Sequence, residues 1–260
     1  MMMQSQLMEA NIVECSQGSS HQRKGVAMET FIKTKAGVNV ARHTIVRLSL
    51  YYRVLEEIVR HEKGKVISST ELGRLAGVGA ASIRKDLSCF GEFGKKGVGY
   101  QVDELMRWIG EILGYTSCWN IAMVGVGVHL MPINQYLQFM PPGFSLKALF
   151  DIDESYEGTM LSESGMEVCS LIHLEKVLHE RKISIGLLAV TAEYAQYMAN
   201  RLVAAGICAI SNFSPVNVSV PDHVALVQMS FASGLSQLSY QLQQRNPICF
   251  SQPSWLLAEG

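Results

Sequence analysis

The chain has 260 residues, 48% of them hydrophobic and 17% charged, with a formal net charge of −1. That length and composition allow two domains with real cores and exclude a chain too polar to fold. The near-zero net charge hides a division: residues 41–100 carry 11 Lys and Arg against 6 Asp and Glu, whereas residues 101–260 carry 7 against 14.

A basic module joined to an acidic one suits a nucleic-acid reader attached to a part that does not touch nucleic acid. Residues 1–40, rich in Met, Gln, Ser and Thr, show no apolar period and are expected to form a disordered extension. Six scattered cysteines contain no C-x-x-C pair, which argues for reduced thiols and against a disulfide framework or a metal centre. No apolar run approaches a membrane span and no leader pattern opens the chain, so a cytoplasmic location is expected.

The first periodic segment carries Ile45, Leu48, Tyr52, Leu55 and Val59 at spacings of three and four, one face of a helix. Ser68 with Glu71 three residues later is a capping box that starts a second helix, and Gly77 ends it. After a tight turn, a third helix from Ala80 to about Cys89 buries Ile83 and Leu87 and turns Ser82, Arg84, Lys85 and Ser88 outward. Asp86 is expected to face back, pairing with a neighbouring cation or capping, with no direct role on DNA. Gly91, Gly94, Gly97 and Gly99 then punctuate a short hairpin carrying Lys95 and Lys96, followed by Tyr100 and a fourth helix over 103–113. Positioning helix, turn, basic helix and glycine-hinged wing form a pattern that places Arg84 and Lys85 in a groove while the wing follows phosphates. A solvated charged face is the bland alternative, and the coincidence of cap, turn and wing outweighs it.

Residues 114–118 read as a linker. Beyond them, apolar runs at 121–124, 146–150, 185–190, 207–212 and 225–229 alternate with helical stretches at 175–181 and 192–205. Such alternation means a parallel sheet covered on both faces. A last helix spans 231–243 before a loose tail. The first strand runs into Val124-Gly125-Val126-Gly127-Val128-His129-Leu130, which supplies the first two glycines of a dinucleotide fingerprint. Asp151 ends the next strand, at the distance suited to a ribose hydroxyl. Leu130 stands where the third glycine belongs, and Pro132 removes a further N–H donor. The pattern is good evidence for a Rossmann-like fold and weaker evidence for bound NAD. His129 has no partner at ligand spacing, so no metal is expected, and Cys89 reads as a small buried thiol. No catalytic constellation is visible.

The segments RLSLY (47–51), SSTEL (68–72) and IRKDLSCFGEFGKKGVGY (83–100) closely resemble the Rex family of redox-sensing repressors. The resemblance continues through FDID (150–153), AQYMANRLVAAGI (195–207) and NFSPVNVSVP (212–221), covering about Arg42 to Leu242. It implies an α/β chain with a winged helix-turn-helix domain at 41–115 and a Rossmann-like domain at 119–229. At 230–260 it implies a helix swapped between subunits and a tail. It further implies a homodimer on palindromic operator DNA, with NAD(H) as effector and no enzymatic turnover. The implied DNA contacts are Ser82, Arg84, Lys85, Lys95, Lys96, Gly97, Gly99 and Tyr100. The implied nucleotide contacts are Gly125, Val126, Gly127, Val128, His129, Leu130, Tyr136, Asp151 and Phe231. The glycine loop departs from the family's pattern at Val128, His129 and Leu130. Thr191 stands for the usual proline, and Ser230 for an aspartate of the sensing machinery. An intact DNA half beside an altered sensing half suggests a weakened or lost response to NADH. Two other readings stay open: a DNA-binding dimer with the Rossmann domain as scaffold, and a small NAD-dependent oxidoreductase.

Overall fold

The computed structural model describes residues 31–33, 39–94, 97–125, 127, 140–161 and 165–244. The chain divides into two compact units, Met1–Val102 and Asp103–Gly260.

The first unit opens with a short antiparallel ribbon, β1 (Phe31–Lys33) against β2 (Asn39–Ala41). This ordered pairing falls in the stretch expected to lack structure. Strand pairing runs through main-chain groups, which side-chain composition does not report. Helix α1 (Arg42–His61) follows, then β3 (Val66–Ile67), α2 (Ser69–Ala76), α3 (Ala80–Ser88) and β4 (Tyr100–Gln101). The buried face of α1 is Thr44, Leu48, Tyr51 and Leu55, whereas Tyr52 is only half-buried. Apolar periodicity places Leu48 and Leu55 correctly but puts Ile45 and Tyr52 where Thr44 and Tyr51 are buried. Thr44 and Tyr51 go inward because their hydroxyls find a partner there, described below.

Helix α2 starts with the Ser68 half of the capping box, the Glu71 N–H donating to Ser68 Oγ at 3.0 Å, while the Glu71 carboxylate lies 3.5 Å from Lys65 Nζ. It ends on Gly77 in the left-handed conformation, φ 66°. The turn into α3 is tight enough that a Cβ at the buried Gly73 would collide with the Val78 carbonyl. The wing strand β4 does not pair within the glycine segment. It pairs antiparallel with β3, setting Ile67 opposite Tyr100 and Val66 opposite Gln101. Gly99 permits this with φ 111°, because a side chain there would meet the Ile67 carbonyl.

The second unit begins with α4, the helix of Val102–Ile112, in which Leu105 and Ile109 are buried. Its strands are β5 (Trp119–Val124), β6 (Phe144–Phe150), β7 (Met160–Leu161), β8 (Met166–Cys169), β9 (Ile185–Leu188), β10 (Ala209–Asn212) and β11 (Ala225–Gln228). They lie in the order β11-β10-β9-β5-β6-β8-β7, all parallel except the antiparallel edge strand β7. From β5 the order runs outward both ways, so β5 and β9 flank the point where the winding reverses. That is the doubly wound dinucleotide-binding topology, whose ligand crevice lies beyond the carboxyl ends of those two strands.

Helices α5 (Leu174–Glu180) and α6 (Ala192–Ala204) join the strands. Leu174, Leu178, Met198 and Leu202 pack with Val124, Phe150 and Leu188 in one dry core cluster. A second cluster centres on Leu149 and Val168, with Met123, Leu146, Tyr156 and Met166 against it. The terminal helix α7 (Phe231–Gln244) buries no residue. Phe231, Leu235, Leu238 and Leu242, at spacings of four, three and four, are 84%, 51%, 57% and 47% exposed.

Candidate nucleic-acid interface and nucleotide cleft

Helix α3 buries Ile83, Asp86 and Leu87 and leaves Ser82, Arg84, Lys85 and Ser88 on its open face. A 3.6-residue period makes this division unavoidable once Ile83 and Leu87 go inward. Arg84 Nη1 donates to Ser69 Oγ at 2.9 Å, so its guanidinium lies beside the start of α2. Tyr100, at the base of the wing, has its phenol held above the usual range by burial, and the nearby Arg84 charge opposes that rise. Ser82 and Lys85 are exposed on the same short helix as Arg84. Gly97 and Gly99 hold the wing's turn with φ of 82° and 111°. Lys95 and Lys96 lie outside the described residues.

Asp86 is the most heavily bonded side chain of α3. Arg47 Nε donates to its Oδ2 and Arg47 Nη2 to its Oδ1, both at 2.6 Å. Tyr51 Oη donates to Oδ2 at 2.8 Å and Thr44 Oγ1 to Oδ1 at 3.2 Å. Burial pushes the Asp86 carboxyl up, but the hydrogen bonds from Arg47, Tyr51 and Thr44 and the Arg47 charge outweigh it. The group is held below the usual carboxylate range. Burial, together with the bond to Asp86, pushes the Tyr51 phenol well above its ordinary value, so it remains a donor. The expected cation is thus Arg47, 39 residues away in sequence. The only trace of this partnership in the sequence is a threonine, an arginine and a tyrosine on one side of a helix. The local pattern does not connect them to Asp86.

In the second unit, Gly125 leaves β5 with φ 98°, and its N–H donates to the Phe150 carbonyl at 2.9 Å. A Cβ on Gly125 would stand 2.6 Å from the Ala189 carbonyl carbon and nearer still to its oxygen. Here the glycine lets the β5 turn pass directly beside the end of β9. Asp151, 6% exposed, closes the end of β6. Its Oδ2 accepts from the Gly127 N–H at 2.6 Å and its Oδ1 from the Asp153 N–H at 2.9 Å. Each oxygen keeps a further lone pair, which is the acceptor capacity a ribose hydroxyl needs. Asp151, Asp153, Glu154 and Glu157 border a small acidic cavity beside Cys169 and Ser170. Val126, Val128, His129, Leu130 and Tyr136 lie outside the described residues.

One neighbour of the glycine turn escapes sequence reading. Tyr156, on a 3-10 turn over Glu154–Tyr156, sets its ring against Gly127, where a Cβ would come within 2.9 Å of Tyr156 Cδ2 and closer to other ring atoms. The space beside the second glycine is occupied by this chain's own aromatic ring. Among the described residues no cluster of three His, Cys, Asp or Glu side chains could hold a metal ion. Among the described residues, Cys89, Cys118, Cys169 and Cys208 form no disulfide.

Comparison with known proteins accords with both halves. Residues 39–88 match the family model described as a putative DNA-binding protein N-terminus, and residues 116–216 match a CoA binding domain. The redox-sensing transcriptional repressor Rex of Syntrophobacter fumaroxidans is 42% identical over 199 residues, covering 76% of this chain and 94% of the relative. The chain belongs to the Rex family. The Rex of Thermoanaerobacter pseudethanolicus is 40% identical over 212 residues, covering 82% of this chain and 92% of its own. The crystal structure of RSP, a Rex-family repressor, in complex with beta-NAD+ and operator DNA superposes with a TM-score of 0.70. Identity there is 39%, over 79% of this chain and 94% of that one. RSP in complex with beta-NADH gives a TM-score of 0.68 at 37% identity. The Rex architecture of a DNA-binding N-terminus followed by a doubly wound nucleotide fold is what the two units display. Among the described residues no helix is long and apolar enough to cross a membrane.

Proposed function

We propose that this chain is a homodimeric repressor that binds palindromic operator DNA through α3 and the wing and is released by NADH. The observation that carries the reading is the open face of α3, with Ser82, Arg84 and Lys85 exposed on a helix anchored from behind by Asp86. It is supported by relatives that share two-fifths of the sequence and by one that was crystallised with operator DNA. In this reading Arg84 reads base edges and Ser82 and Lys85 contact the backbone. Lys95, Lys96, Gly97, Gly99 and Tyr100 form the wing that follows the phosphates. The working domains are 41–115 for DNA, 119–229 for the nucleotide, and 230–260 for the swapped helix and tail.

Asp151 takes the ribose of NAD(H). The loop from Gly125 through Val126, Gly127, Val128, His129 and Leu130 takes the pyrophosphate, with Tyr136 as a further nucleotide contact and Phe231 supplied by the partner copy. Helix α7 is the dimer element, since a helix with four apolar residues in register and no buried face is incomplete in a single copy. The protein acts by binding rather than turnover, and works in the cytoplasm. Leu130 in place of the third glycine weakens the NADH response. Extra methylenes at a packed junction cost about 1–3 kcal/mol, roughly ten- to a hundredfold in affinity if all of it falls on binding.

The test is operator affinity at fixed salt while NADH and NAD+ are titrated separately. Release by NADH at concentrations where NAD+ has little effect is the expected result. Operator binding that neither nucleotide shifts would leave the DNA reading standing and overturn the effector. A protein with no preference for any duplex would overturn both.

A further inference from the structure

Helix α3 has only nine residues, and its N-cap Gly79 offers no side chain to hold its first turn. Ile83 and Leu87 attach it to the unit, but apolar packing is non-directional and fixes distance better than rotation. The directional bonds on its buried face converge on Asp86. Two come from the planar fork of Arg47, one from Tyr51 and one from Thr44, all on α1. A bidentate fork holds a carboxylate in both distance and plane. The Asp86 side chain is 3% exposed, so water does not compete for its oxygens. Arg84 and Lys85 immediately precede Asp86 in the chain, so their direction is tied to its own through about 100° per residue of helix.

We propose that Asp86 is the positioning residue that sets the rotation of α3 about its axis, and through it the base discrimination of Arg84. This rests on the reading of α3 as the DNA-contacting helix. With side chains about 5–6 Å from the axis, a rotation of about 20° moves a DNA-facing group by roughly 2 Å. Functional groups tolerate about 0.5 Å and 10–20° before a hydrogen bond fails. Sequence-blind attraction to phosphates survives such a rotation, because it depends on charge within a Debye length rather than on hydrogen-bond geometry. Asp86 therefore governs specificity more than affinity for DNA as such.

The experiment compares the full-length protein with Asp86→Asn. Affinity is measured for a palindromic duplex selected by the unmodified protein from a random pool, and for a shuffled duplex, across a salt series. Circular dichroism and the melting temperature check folding at each condition. The variant removes one negative charge near the DNA, so binding to the shuffled duplex should hold or rise up to about threefold, with the salt slope unchanged. Binding to the selected duplex should fall by about tenfold or more, the scale of one base-reading bond. A ratio of selected to shuffled affinity that stays constant would overturn the proposal, because Asp86 would then be only a charge or only a structural tie. If Asp86→Asn does not fold, Tyr51→Phe removes one directional bond and leaves the ion pair. A drop of about threefold or more in the ratio is expected there, and an unchanged ratio overturns the idea. If the unmodified protein selects no duplex, the DNA reading itself fails together with the proposal, a result distinct from a selective protein with an indifferent Asp86.

Discussion

Replacing Gly125 by alanine tests whether the β5 turn passes as close to β9 as the structure shows. Two costs add. The backbone there has φ 98°, outside the region an L residue adopts without strain, and such conformations cost about 1–3 kcal/mol. The new methyl would also lie 2.6 Å from the Ala189 carbonyl carbon and overlap its oxygen. The overlap is with backbone, which cannot rotate away. Ala189 is held by its own N–H to the Val124 carbonyl at 2.8 Å, and Gly125 by its N–H to the Phe150 carbonyl at 2.9 Å. Relief therefore means separating strand ends in the middle of the sheet, and overpacking of that kind costs about 1–3 kcal/mol. The sum is about 2–6 kcal/mol against the roughly 5–15 kcal/mol that holds a domain together. For a unit of this size it corresponds to a fall in melting temperature of about 4–24 °C. Differential scanning calorimetry would show the loss in the transition of residues 103–260. A variant melting within about 1 °C of the parent would refute the close approach, and with it the placement of the cleft between β5 and β9.

The Asp86 carboxyl is held below its unfolded value, which lies near about 4. Its contribution to stability is therefore fully present above about pH 4 and is lost as pH falls through the lower folded value. Acid unfolding followed by circular dichroism should show a steep limb that Asp86→Asn flattens, and identical limbs would count against the network. Arg84→Ala should reduce preference for the selected duplex, by about 1–3 kcal/mol for each base that the guanidinium reads, while leaving the salt slope within about one unit. A uniform weakening across all duplexes would move Arg84 to the phosphates. If α7 forms the proposed dimer face, Leu238→Lys should shift the protein towards monomer in light scattering, since each leucine buried is worth about 1.5–3 kcal/mol. An unchanged mass would place the interface elsewhere. NADPH should displace the protein from DNA about tenfold less effectively than NADH, or worse, because its additional phosphate would face Asp151, Asp153, Glu154 and Glu157. Equal potency would put the ribose somewhere other than beside Asp151.

What could be read in the chain was whatever repeats or punctuates locally. The Ser68–Glu71 capping box, the Gly77 stop, the outward Ser82, Arg84 and Lys85, and the strand–helix alternation beyond residue 118 all appear where pattern places them. Each depends on helix or strand period, or on the chemistry of one turn, and so is written within about ten residues. The strand Met166–Cys169 escaped because four residues with one fully buried position give no alternation to detect. Tyr156 against Gly127 had no signal at all, because a 3-10 turn of three residues carries no period. On α1 the apolar stripe found Leu48 and Leu55, but Thr44 and Tyr51 are buried in place of Ile45 and Tyr52 because their burial is decided by a partner rather than by hydrophobicity. Thr44 and Tyr51 can be buried only where Asp86, more than thirty residues later, accepts their protons.

By itself, then, the sequence determined the kinds and order of most elements, short strands such as Met166–Cys169 excepted, the two-part division of charge and the open face of the basic helix. Tertiary structure decided the pairing of the wing with Val66–Ile67, the Arg47–Asp86 fork, the strand order around β5 and the passage of Gly125 beside Ala189. Each of those joins groups far apart in the chain. Such pairings gain their energy only after the intervening loops have closed, and nothing in a local window encodes which distant group will be there.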